Sequence, residues 1–366
     1  MNRNELNIKE ERLHKLLDCR NLSGILLSKQ TNFLWFTGGR RNDVIKNVDI
    51  SLAYIFITRD KKYLIATSSD LDRLMDEELN NAGFEPVKYD WYNQSVFDAL
   101  NKIGGLNKIG GDFYDFNITC IEDNLVKLRI DLTDFEVEKV KKLSKEYSLL
   151  LTDFCTNSLG PGLTENKVAV DFSYKCLEKN IRLLVLMIGS DERIFKYRHP
   201  VATDKKIRKY LLIATAVERD GINVTISRSI HFGKTPKDLI NRQKAVNFIE
   251  ASYLHHSKPG TYLKDLLEVG KKAYSEAGFS YEWKNHSQGG IVGYKPREIL
   301  VTGESKEKLK ENNILSWNPT VSGAKAEDLA LVRKEGVEQL SIDRRWPCSE
   351  IKIDGDIYLK PKILEL

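Results

Sequence analysis

The chain has 366 residues, 41% of them hydrophobic and 30% charged, with a formal net charge of +5. That length allows two domains, each with its own core. The longest apolar run, Ile181 to Ile188, is interrupted by Arg182 and is strand-sized, well short of the roughly 20 residues of a membrane helix. Acidic and basic residues alternate through most segments, which argues against a dedicated nucleic-acid face. The polar, charged stretch Met1 to Glu11 does not read as a secretory signal. Five scattered cysteines (Cys19, Cys120, Cys155, Cys176, Cys348), none spaced as CxxC, point to reduced thiols in a cytoplasm and away from a disulfide frame or zinc ribbon.

In chain order, Ile8 to Cys19 has leucines at helical spacing, and Leu22 to Ser28 reads as a helix stop followed by a buried strand. Thr31 to Asp43 reads as a short aromatic turn emptying into a glycine-and-arginine loop. Leu52 to Thr58 and Lys62 to Thr67 form a hairpin pattern around Arg59-Asp60-Lys61. Ser69 to Ala82 reads as an amphipathic helix, Phe84 to Tyr89 and Lys108 to Asp112 as strands, and Val96 to Ile103 as a helix between them. Interleaved strands and helices over residues 1–130 imply a small α/β domain.

From Asp131 the pattern changes. Asp134 to Phe154 and a segment opening at Thr164 read as long helices, separated by Gly160-Pro161-Gly162. Strand-like runs follow at Leu183 to Met187, Tyr210 to Val217 and Ile222 to His231, the last two flanking the tight-turn sequence Glu218-Arg219-Asp220-Gly221. Two further helices, Lys237 to His256 and Tyr262 to Ala277, precede strands at Ile314 to Trp317 and Asp328 to Arg333 and a closing strand or loop near Gln339 to Ile342. Helix, helix, hairpin, twice over, suggests an internally duplicated α+β unit across 131–366. Between the last helix and those strands lies Trp283 to Glu298, which concentrates His286, Gln288, Gly289, Gly290, Gly293 and Arg297 in one run. Glycine there lets a backbone come close to a ligand or to another strand.

This order of elements resembles the creatinase, prolidase and aminopeptidase P group, whose pita-bread fold joins a small amino-terminal α/β domain to a duplicated α+β catalytic domain. That family's metal-binding hairpin lies over Ala214 to Ser229, with Gly221, Arg228 and Ser229 in register. The two places for metal-binding aspartates hold Ala214 and Thr225. The family's first histidine is His286, its second falls on Gly293, its E-P-G glutamate on Asn318, and its R-x-E-D glutamate on Glu327. A two-ion centre needs several anionic oxygens. Two surviving candidate ligands do not supply them, so the resemblance implies no metal and no cofactor.

Creatinase is the member of the group that works without metal. Its histidine general base lies over His199 in Tyr197-Arg198-His199-Pro200-Val201-Ala202-Thr203, and its carboxylate-gripping arginine over Arg297. Its two guanidinium-binding glutamates fall on Ser227 and Asn318, which disfavours a buried cationic substrate. Asn318, Thr225, Ser227 and Gln288 would then offer neutral hydrogen bonds, and Glu327 would hold His286 protonated. The loop Phe36 to Arg41 resembles one that reaches the partner's active site in dimeric relatives, with Arg40 or Arg41 contacting a carboxylate.

The function implied is metal-independent hydrolysis of an amide or amidine-like C–N bond in a small carboxylate-bearing molecule or short peptide. The catalytic residues would be His199, His286 and Glu327, in a cytoplasmic homodimer with no nucleic-acid or membrane partner. The alternatives are a catalytically inactive pseudo-peptidase acting as a binding protein, and an Xaa-Pro-type metallopeptidase with an atypical metal site.

Overall fold

The computed structural model describes residues 2–104 and 107–366 and divides into two compact units. One comprises Met1–Glu136 with Asp220–Ile222; the other comprises Val137–Arg219 and Asn223–Leu366. No helix among the described residues is long and apolar enough to cross a membrane.

The first unit is built on a six-stranded mixed sheet. Its strands are β1 (Gly24–Lys29), β2 (Ile50–Ile57), β3 (Lys62–Thr67), β4 (Glu85–Tyr89), β5 (Ile109–Gly111) and β6 (Ile118–Cys120), in the spatial order β4-β3-β2-β1-β5-β6. The β2–β3 hairpin is antiparallel with Ala53 opposite Ala66, while β4 and β5 add in parallel through crossovers. The opening helix Arg3–Arg20 starts at Asn2, whose side chain accepts from the Asn4 and Glu5 amides, and ends at Asn21 in the left-handed conformation.

Two segments differ from the sequence expectation. The aromatic stretch expected to turn is instead the helix Gln30–Thr37, because Phe33, Trp35 and Phe36 all find full burial and Gly38 closes the helix at φ 68°. The helix expected over Ser69 to Ala82 is shorter. It runs through Leu71–Arg73 into one π-helical turn, Leu74–Glu78, before Asn81 takes φ 59°.

The second unit carries the long helix Asp134–Asn157 from Val137 onward, and the helices Glu165–Glu178, Lys237–His256 and Leu263–Glu276. Its first sheet contains β7 (Arg182–Ser190), β8 (Tyr210–Arg219) and β9 (Ile222–His231). Asp220 at φ 53° and Gly221 at φ 82° make the two-residue turn between β8 and β9, the twist-compatible type that Asp-Gly favours. Every residue of β9 is buried.

The second sheet holds β10 (Gly289–Val292), β11 (Ile299–Leu300), β12 (Ile314–Trp317), β15 (Asp328–Arg333) and β16 (Gly336–Gln339) in the order β11-β10-β12-β15-β16. Between β12 and β15 lies the small hairpin β13 (Thr320–Val321) and β14 (Ala324–Lys325). The closing strand expected at Gln339 to Ile342 sits earlier, as β16. Past it the chain adds an antiparallel hairpin, β17 (Cys348–Ile353) and β18 (Asp356–Pro361). The sequence carries its signal in Asp354-Gly355 flanked by alternating isoleucines. A short β19 (Leu364–Glu365) then pairs with β9. The two sheets meet through the Ser227 amide on the Glu327 carbonyl (3.0 Å) and the Asn223 amide on the Gly293 carbonyl (3.0 Å). The candidate site lies along that seam.

Candidate functional site

His199 stands on the loop between the short helix Glu192–Lys196 and β8. That loop is fastened on both sides. Pro200 packs onto Gly189 of β7, where a Cβ would lie 2.5 Å from the proline ring. The buried Glu165 carboxylate takes the amide of Thr203 at 3.0 Å and its hydroxyl at 2.8 Å, besides the Ser190 amide and hydroxyl and the Arg193 guanidinium. Arg193 in turn donates to the Val201 carbonyl at 2.8 Å. Beside His199, Arg198 pairs with Glu282 on the turn Glu282–Asn285 that leads into His286. One ion pair therefore joins the two histidine-bearing segments.

The two imidazoles meet at Nε2 to Nε2, 2.9 Å, with ring centroids 4.8 Å apart. One ring must donate and the other accept, so the pair shares a single proton and does not carry two charges. Burial, then the charge of Lys325, lowers the pKa of His199. The same causes, with His199 itself, push His286 down to about 3. The expectation that Glu327 holds His286 protonated is therefore corrected. Glu327 does favour the imidazolium, but desolvation and the lysine outweigh it, and His286 is neutral at pH 7.

Glu327 is 5% exposed and both its oxygens are engaged. Oε1 accepts from Arg297 Nη2 at 2.7 Å and from the Ser316 hydroxyl at 3.3 Å, and Oε2 lies 3.3 Å from the Lys325 ammonium. Burial alone would raise this carboxyl, yet Lys325 and Arg297 together hold it down to about 2. Ser316 also takes the Thr225 hydroxyl at 2.6 Å, which ties β9 to the same network.

His199 and His286 thus form one hydrogen-bonded pair, Arg297, Glu327, Ser316 and Thr225 form a second hydrogen-bonded group, and the charge of Glu327 acts on both imidazoles. Lys325 belongs to the second group as well; it occupies the arginine place of the R-x-E-D pattern, and its charge role rests on burial beside Glu327 rather than on any motif. Glu165 was equally invisible in the sequence except as the residue after a helix cap.

Other expected residues sit at the border. The Gln288 amide nitrogen donates to the carbonyls of Trp283 (3.0 Å) and His286 (2.6 Å), so its donors shape the His286 bend and are not free for a ligand. The Asn318 amide reaches the Gln288 carbonyl at 3.1 Å, and Ser227 is buried with its amide on Glu327. Arg297 spends Nη1 on the Pro296 carbonyl and Nη2 on Glu327, and so enters the site as half of an ion pair. Arg41 belongs to the other unit, where its amide donates to Glu78 at 3.0 Å. At Gly293, the place of the family's second histidine, a Cβ would come within 3.1 Å of the Glu298 side chain, whose carboxylate holds the Tyr294 amide.

Residues 138–337 match the model of metallopeptidase family M24, and residues 10–124 match that of the creatinase/prolidase N-terminal domain. The chain belongs to the M24 family. An uncharacterized peptidase of Staphylococcus aureus strain MW2 is 24% identical over 242 residues, covering 62% of this chain and 67% of the relative. The prolidase of Pyrococcus horikoshii superposes with a TM-score of 0.76 at 18% identity, over 91% of this chain and 98% of that one. The N-terminal domain of the FACT complex subunit SPT16 from Cicer arietinum superposes with a TM-score of 0.70 at 11% identity, over 92% and 96%. The architecture is therefore the pita-bread fold behind a creatinase-type N-terminal domain.

An M24 metallopeptidase implies divalent ions, and the donor set of this M24 chain does not fit a pair of them. The family's other carboxylate places hold Ala214, Thr225 and Asn318, and the oxygens of Glu327 already hold two nitrogen cations. Among the described residues no three His, Cys, Asp or Glu side chains converge on a point that could hold one ion.

Proposed function

We propose that this M24 chain is a hydrolase that cleaves a C–N bond of a small carboxylate-bearing molecule or short peptide without a metal ion, with His199 as general base. The observation that carries the reading is the 2.9 Å contact between His199 and His286, both held neutral, beside a glutamate clamped by two cations. A neutral imidazole with a lowered pKa is ready to accept a proton from water at pH 7. His286 fixes the ring of His199 and shares its proton. Lys325 and Arg297 against the single charge of Glu327 leave one positive charge in excess, which favours a substrate carboxylate or a developing oxyanion.

A second reading, a pseudo-peptidase that binds a partner, draws on the engagement of Arg297 and Gln288 within the protein. Cytoplasmic location and a homodimer are part of the first reading, supported by five unpaired thiols and by the family resemblance.

The test is turnover in the presence of EDTA across a panel of Xaa-Pro dipeptides, N-acyl amino acids and guanidino acids, with His199→Asn alongside. General-base contributions are about 10²–10⁴-fold, and the variant is expected to lose that much of kcat while still binding the substrate. Full activity in the variant removes the mechanism. Turnover that appears only on adding manganese restores the metallopeptidase. No turnover of any substrate, with a retained partner interaction, favours the binding protein.

A further inference from the structure

A carboxylate as buried as Glu327 needs positive partners, since an uncompensated charge in that setting is costly. Each of its oxygens has one, Arg297 at 2.7 Å on Oε1 and Lys325 at 3.3 Å on Oε2. We infer that Arg297 and Lys325 are the cations of the site, compensating Glu327 as bound divalent ions would and keeping such ions away from it. The inference rests on the metal-independent reading above and adds the devices that enforce it.

The argument is one of space and charge. A divalent ion binds a carboxylate oxygen at roughly 2.0–2.6 Å, inside the distances now taken by the two nitrogens. To enter, it must push one of them off while remaining within a few ångströms of the other. Like charges that close, away from bulk water, repel by several kcal/mol on the order-of-magnitude scale of Coulomb's law. Nothing nearby offsets this. Thr225 and Ser316 are neutral hydroxyls joined to each other at 2.6 Å, and His286 already faces His199.

The two cations also differ in reach. Lys325 is fully buried and serves only the interior, whereas Arg297 is partly exposed and anchors its other terminal nitrogen on Pro296. Arg297 is therefore the one whose removal opens a path to Glu327.

The test uses manganese chloride alone on the full-length protein, read by thermal melting and by the loss of free-manganese signal in electron paramagnetic resonance. Wild type and Thr225→Asp, in which both cations remain, are expected to show neither uptake nor a shift in midpoint. Arg297→Met and Lys325→Met, each combined with Thr225→Asp so that an entering ion meets a second carboxylate, are expected to take up manganese and to gain roughly 2–4 °C at saturation. Adding Glu327→Gln to the Arg297→Met pair should cancel the gain. If the Lys325→Met pair does not fold, the Arg297→Met pair decides alone. Folded paired variants that take up no more manganese than wild type, or uptake by Thr225→Asp alone, overturn the inference while leaving the His199 mechanism standing, as does a gain that survives Glu327→Gln. Stoichiometric uptake by wild type overturns both.

Discussion

The imidazole of His286 is 8% exposed and lies in the field of Lys325, and those two facts set its protonation. In the unfolded chain a histidine titrates near ~6.5, whereas in the fold this one is held to about 3. Between those values the unfolded state binds a proton that the folded state refuses. Stability is then fully present above the unfolded value and is lost as pH falls toward the folded one, by at most about 1.4 kcal/mol per pH unit. The lowered carboxyl of Glu327 acts in the same direction, but only from its ordinary range near 4.5 down to about 2. Urea melts between pH 6.5 and 4.5 lie above the range of Glu327; His199, also lowered, and Glu250, raised to about 7, titrate there too, so the histidine is read from the difference between wild type and His286→Gln. His286→Gln is expected to flatten the acid slope in that window, and an unchanged slope would show that His286 is protonated in the fold after all. The sequence named both histidines through their flanking motifs. It did not reveal their neutrality, because that depends first on burial and then on Lys325, which acts on them only by being buried against Glu327.

Strand β10 shows which of two openings a glycine-rich run serves. Its glycines allow close approach of a ligand or of another strand, and at Gly289 and Gly290 the space is taken by the backbone of neighbouring strands. A Cβ on Gly289 would lie 2.1 Å from the Ser316 carbonyl oxygen, and one on Gly290 2.1 Å from that of Ile299. Their φ values of 101° and 150° also suit glycine alone. The glycines let β10 thread between β11 and β12, and that threading delivers His286 and Gln288 to the seam. Gly290→Ala is expected to cost at least about 2 kcal/mol, combining backbone strain with overpacking, measured by chemical denaturation. A cost below a few tenths would mean the strand has slack. Spacing made most long elements legible, since Lys237–His256 and the Tyr210–Arg219/Ile222–His231 hairpin follow from apolar period and turn chemistry alone. The helix Gln30–Thr37 did not follow, because three aromatics in eight residues satisfy a turn as readily as a helix until burial decides.

At the scale of the whole molecule, the second unit balances its interior charge with side chains. Lys360 sits 2.6 Å from Glu250 and 3.7 Å from Asp328, and Arg228 binds Asp328 at 2.9 Å, all of them buried. Desolvation raises the Glu250 carboxyl to about 7 even with that lysine beside it, so this network, like the one at Glu327, depends on every partner being present. A metalloprotein of this architecture would draw stability from its ions by mass action, and removing them would lower its melting temperature. If Arg297, Lys325 and Lys360 take that role here, prolonged dialysis against EDTA should leave the thermal midpoint of the full-length protein within about a degree of its starting value. That degree corresponds to about 0.8 kcal/mol for a chain of this size. A fall of several degrees, reversed by one divalent metal and not by calcium or magnesium, would mean that the fold recruits an ion through ligands outside the Glu327 cluster. The charge balance described for the seam would then be incomplete.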